Sequence, residues 1–113
     1  MRTIRNLLQE NERVWFFLRS AEAEKAFTKE LTELGARYLN GNEITEQSCS
    51  PIMSVHKDLK VAHLMIMIWN ASFRQSFSKH CAPELANILK VDYEKYVNGE
   101  ANYTCTQSEF LPA

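Results

Sequence analysis

Apolar residues along this chain recur at two different spacings, and the switches between them mark out most of its elements. Ile4, Leu7 and Leu8 repeat at three and four residues, one stripe of a short helix, with Thr3 placed as its N-cap. "NER" (Asn11 to Arg13) breaks that stripe. Val14-Trp15-Phe16-Phe17-Leu18 is then apolar at every position, β-branched and aromatic, the composition of a central strand covered on both faces. After Ser20 the longer period returns in Ala23, Phe27, Leu31 and Leu34 with charged residues between them. This predicts an amphipathic helix from Ser20 to Leu34. Ser20 caps it, Glu22 and Glu24 sit at the positive end of its dipole, and Gly35 holds the left-handed position that closes it.

Asn40-Gly41 is a strong hairpin signal, and a type I′ turn is expected there, with Tyr38-Leu39 leading in and Glu43-Ile44-Thr45 leading out. The polar loop "TEQSCSP" follows. Ile52 to His56 and Lys60 to about Ile68 read as two strands joined by a turn at Lys57-Asp58. The second of these contains "HLMIMIW", the most apolar stretch of the chain. A helix from Ala62 onward would bury it too, because a short apolar run does not distinguish the two. The frequency of β-branched residues and the turn before it favour a buried strand. Downstream, Phe73 and Phe77 lie four residues apart, Pro83 suits a helix start in "PELANIL", and Val91 extends the run Ile88-Leu89 past Lys90. Asp92 is placed to cap a short helix from Tyr93 to Asn98, closed by Gly99, and the last five or so residues are expected to fray. The sum is a single α+β domain spanning 1–113. Its sheet is expected to be mostly antiparallel, with one main amphipathic helix packed on it and short flanking helices.

Composition narrows the function classes. With 113 residues, 45% hydrophobic and 24% charged, the chain has the make-up of one globular domain. The apolar run around His63–Trp69 is far shorter than the roughly 20 residues a spanning helix needs, so no membrane partner is expected. The start of the chain lacks the pattern of a secretory leader. Cys49, Cys81 and Cys105 are odd in number with no CxxC pair, which points to thiols in a reducing cytoplasm. Net charge is −1, with a local excess of +3 over residues 50–90 and −3 over residues 91–113.

Candidate chemistry is sparse. His56, His63, His80 and the cysteines match no zinc spacing, and the adjacency of His80 and Cys81 does not make a thiol–base pair. Gly35, Gly41 and Gly99 each have a turn or cap to make, which leaves no phosphate-cradling loop. No cofactor, no metal and no catalytic group are expected, and the chain reads as a non-enzyme. In "FRQSFSKH", Arg74 and Lys79 could meet phosphate, an alternative reading as a nucleic-acid-binding accessory protein. The leading candidates for contacts with a protein partner are Tyr93, Glu94, Tyr96, Glu100 and Tyr103. Aromatics of this kind anchor interfaces, and they lie in the acidic last third.

The order of "ERVWFFL", a helix closing in "LGARYLNGNEIT", then "IMSVHKD" and "VDYEKYVNGEANY" resembles small accessory proteins of bacterial phages and mobile elements. The likeness extends over residues 12–100. It implies action by binding a host protein, in some cases inhibition of a CRISPR or other defence nuclease at its basic nucleic-acid site. The net charge of −1 departs from the strongly acidic nucleic-acid mimics of that kind.

Overall fold

The computed structural model describes residues 2–44, 51–73 and 88–107. Its elements run α1 (Ile4–Leu8), β1 (Arg13–Phe17), α2 (Ala21–Glu33), β2 (Arg37–Tyr38), β3 (Ile52–His56), β4 (Lys60–His63), α3 (Ile66–Ala71), β5 (Leu89–Asp92) and α4 (Tyr93–Val97). The strands form one sheet in the order β2-β4-β3-β1-β5.

Local chemistry sets the helix ends where the sequence signals them. Thr3 Oγ1 accepts from the Asn6 N–H, Ser20 Oγ from Ala23 and Asp92 Oδ1 from Lys95, so each of these helix starts has a side chain on one of its orphan donors. At the end of α2, Gly35 sits at φ +77°; its N–H reaches the Thr32 carbonyl, and the Ala36 N–H reaches that of Leu31. A side chain at that left-handed position would be strained, which explains the glycine. The same pair of bonds closes α4, from Gly99 to Tyr96 and from Glu100 to Lys95.

The sheet is mixed. β3 pairs antiparallel with β1 and β4, as expected of a hairpin meander, but β1 with β5 and β2 with β4 are parallel. Parallel neighbours need a crossover connection. β1 and β2 run the same way because α2 carries the chain across the sheet between them, and β4 and β5 are likewise separated by the segment containing α3. β1 is an interior strand, and its two faces enter different cores. Val14, Phe16 and Leu18 join Ile4, Leu7, Phe27, Leu31, Val55, Val91, Tyr93 and Tyr96 beneath α1, α2 and α4. Trp15 and Phe17 join Ile52 and Trp69 beneath α3. Its run of apolar residues is therefore explained by cover on both sides.

Two expectations are corrected. The Asn40-Gly41 hairpin is not type I′, since Leu59 is the one described non-glycine residue with positive φ. Gly41 alone is left-handed (φ +88°), its N–H bonds to the Tyr38 carbonyl, and the Tyr38 N–H bonds to that of Asn42. That is a turn through Leu39 and Asn40 followed by a glycine bulge, and its outgoing limb is reduced to one bridge, Arg37 to Glu43. Second, "HLMIMIW" is not one strand. β4 ends at His63, and the Leu64 N–H makes a last sheet bond to the Ile52 carbonyl. The partner strand begins at Ile52, directly after Pro51, which has no N–H to offer a longer ladder. The chain turns away there and forms α3 from Ile66.

Phe73 is half-buried against the second core. Phe77, the first five residues of "PELANIL", most of "TEQSCSP" and the fraying tail lie outside the described residues, and Leu89, expected in a helix, begins β5 instead.

Candidate functional site

The turn away from the sheet decides the fate of the most apolar stretch. Trp69 is fully buried, but Met65, Ile66 and Met67 are 61%, 43% and 73% exposed. They occupy three consecutive positions at the start of α3, where Met65 stands at the N-cap without a side-chain bond to the helix. Leu39, another exposed apolar residue, lies at the same end of β4, its N–H bonded to the Val61 carbonyl. Val97 is the remaining large apolar residue that is exposed among those described, and it belongs to α4. An unbranched methionine adapts its shape to a partner at low cost, so Met65 and Met67 form a surface suited to apolar contacts. This exposure is missed in the sequence, since both the strand and the helical alternative from Ala62 onward would bury the run.

The residues singled out for partner contact are distributed differently. Tyr93 is 2% exposed, and its hydroxyl donates to Glu30 Oε1 at 2.7 Å. Tyr96 is also buried, and its hydroxyl donates to the Thr3 carbonyl at 2.8 Å. The body of each ring faces the main core. Tyr103 is half-buried, edge-on to Tyr96, with the Arg2 guanidinium 4.9 Å from its ring centre. Arg2 also donates to the carbonyls of Tyr96 and Glu100, so the start of the chain seals the end of α4. The Glu100 side chain is exposed, and Glu94 is half-exposed and accepts from Ser20 Oγ at 3.0 Å. Arg74 and Lys79 lie outside the described residues.

Burial raises both tyrosine phenols above their ordinary value. For Tyr93 the hydrogen bond to Glu30 and the charges of Glu30 and Glu33 add to it; for Tyr96 the charges of Tyr103 and Glu30 add, while Arg2 and the Thr3 bond oppose. Below about pH 10 both folded and unfolded chains keep these protons, so the phenols make no pH-dependent contribution. Above it the unfolded chain ionises first, binds fewer protons than the native state, and stability falls. The slope approaches about 1.4 kcal/mol per pH unit for each phenol. The urea midpoint should therefore drop as pH rises from about 9 to about 11, and Tyr93→Phe should flatten that drop; equal slopes in the two proteins would refute it.

At the carboxyl ends of the parallel pair β1–β5, Arg19 Nη2 and Nε donate to Asp92 Oδ2 at 2.6 and 2.9 Å. Asp92 is buried, so its charge is matched on one oxygen by Arg19 and on the other by the α4 cap. This cluster joins the two helix starts, and its groups bond to one another. His56 and His63 stand at opposite ends of the β3–β4 hairpin, because the turn pairs Met53 with His63 and leaves His56 beside the loop. Burial, then Arg13, lowers the His56 pKa, against an opposing effect of Asp58. His63 stacks on Tyr38 with ring centres 5.4 Å apart. Among the described residues no three His, Cys, Asp or Glu side chains come together as a metal would require, and no helix is long and apolar enough to cross a membrane. Two open grooves flank α2. One, of about 540 Å³, is lined by Arg2, Arg5, Lys29, Glu30, Glu33 and Val97; the other, of about 740 Å³, runs past Glu22, Lys25, Thr32 and Ile44.

Compared with protein families, curated protein sequences and solved structures, the chain matches none.

Proposed function

We propose that this chain is a protein-interaction module that docks a partner protein through Met65, Ile66 and Met67. The observation that carries this reading is their exposure, three adjacent large apolar side chains in a molecule whose other apolar residues are mostly inside. Interfaces place such residues at their centre, where water is excluded on association. The likeness to phage and mobile-element accessory proteins suggests the partner's class, a protein of a host defence complex.

Met67→Glu tests the proposal. A surface substitution of this kind changes stability by less than about 0.5 kcal/mol, whereas a charge buried at an interface centre costs about 2 kcal/mol or more of binding, near thirtyfold in affinity. Capture from a lysate of the source cells should yield a protein with the wild-type bait that the variant loses, while the two baits melt together. Equal recovery by both baits would move the docking surface elsewhere.

A further inference from the structure

The methionines among the described residues sit in opposite surroundings. Met53, on β3, is fully buried in the main core. Met65 and Met67, on either side of Ile66, are exposed. The fold holds them out. Trp69 anchors α3, its ring centre 6.4 Å from those of Trp15 and Phe17 and 5.3 Å from that of Phe73. Met67 lies two positions before Trp69, about 200° round the helix axis. Turning α3 to shelter Met67 would pull Trp69 out of the second core, where it is fully buried. The Met65 carbonyl is fixed by the N–H groups of Ile68 and Trp69 at 3.0 and 3.1 Å, while its side chain makes no bond to the helix. Both thioethers are therefore kept in solvent by what packs on the inner side of their own helix.

We infer that Met65 and Met67 are an oxidation switch on the α3 surface, converted by hydroperoxides to sulfoxides and returned to thioethers by sulfoxide reductases. Its effect on docking rests on the surface proposed above, its chemistry on exposure alone. The sulfur gives a lone pair to one peroxide oxygen, and the S–O bond forms as the O–O bond breaks. Sulfur loses two electrons to the peroxide. The proton on the transferred oxygen passes to the departing one, which leaves as water, or as an alcohol from an alkyl hydroperoxide. In the return step two reductase thiols join as a disulfide and the oxygen leaves as water. The sulfoxide carries a strong dipole where the thioether was apolar. Seated in a dry interface it must shed its water, which weakens binding about tenfold for each residue. In the free protein it stays hydrated, so the fold keeps its stability. Met53 is reached only when the core opens.

Excess hydrogen peroxide on the folded full-length protein, followed by peptide mass spectrometry, tests this. Met65 and Met67 should gain oxygen at least about tenfold faster than Met53, and the three rates should converge in urea. The oxidised protein should elute earlier from a hydrophobic-interaction column and melt with the untreated one. Methionine sulfoxide reductases of both epimer specificities, with dithiothreitol, should restore the later elution. The double variant Met65→Leu, Met67→Leu keeps the apolar area without an oxidisable sulfur, and peroxide should leave its elution unchanged. Equal rates at Met53 and Met67 in the folded protein, elution of wild type unmoved by peroxide, or a shift that persists in the leucine variant would each overturn the assignment. Earlier elution with undiminished partner capture would uphold the oxidation site and move the docking surface off α3.

Discussion

Glu30→Ala should lower stability by about 4 kcal/mol and the melting temperature by about 15 °C. One carboxylate oxygen accepts from the Ile4 N–H at 2.5 Å, and the other from the Tyr93 hydroxyl at 2.7 Å. A single side chain on α2 thereby holds the start of α1 and the start of α4. The Ile4 N–H is one of the donors that a helix start leaves without an intrahelical partner, and Tyr93 is buried apart from the groove beside Glu30. Truncation leaves both unsatisfied, at about 1–3 kcal/mol each, and charge-assisted bonds lie toward the upper end. Glu30→Gln retains one carbonyl oxygen and can serve both donors only poorly, so about half the loss is expected. Thermal and urea denaturation of the two variants check this, and a Glu30→Ala protein melting within a few degrees of wild type would show that α1 and α4 are held by apolar packing alone.

The second large effect is at Asp92. Asp92→Ala removes the α4 cap, worth about 1 kcal/mol, together with the ion pair to Arg19. The guanidinium is 35% exposed and regains water once its partner is gone, so the Coulombic part is discounted. About 3 kcal/mol in total is the expected loss. Asp92→Asn keeps an acceptor for the Lys95 N–H and should cost about half as much. A double-mutant cycle with Arg19→Met should give a coupling near roughly 1.5 kcal/mol; a coupling indistinguishable from zero would mean that Asp92 contributes through its cap alone.

Much of the architecture is legible in the order of residues. Thr3, Ser20 and Asp92 carry the side chains and the positions of N-caps, and each accepts the hydrogen bond a cap should. Gly35 follows the last apolar position of the α2 stripe and takes the left-handed conformation that closes a helix. The all-apolar run Val14–Leu18 can be buried only by cover on both faces, and it lies between two cores. The Asn40-Gly41 dipeptide locates its turn but not the type, because one left-handed glycine satisfies a bulged turn as well as a type I′ one needs it. The candidate surface is the least legible. Tyr93 and Tyr96 sit at helical spacing in a polar segment, and the residues that draw them inward, Glu30 and Thr3, are 63 and 93 positions away.

Sequence alone determined the capped helix starts, the closing glycines and the position of the Asn40-Gly41 turn. Caps, turns and closing glycines depend on hydrogen bonds between residues a few positions apart, and those bonds form in the same way in any fold. Only the tertiary structure decided strand direction and the exposure of the "HLMIMIW" segment. Both depend on what lies alongside. A helical crossover makes β1 parallel to β2, and β4 ends at His63, after which the chain leaves the sheet and enters α3 with Met65 and Met67 exposed.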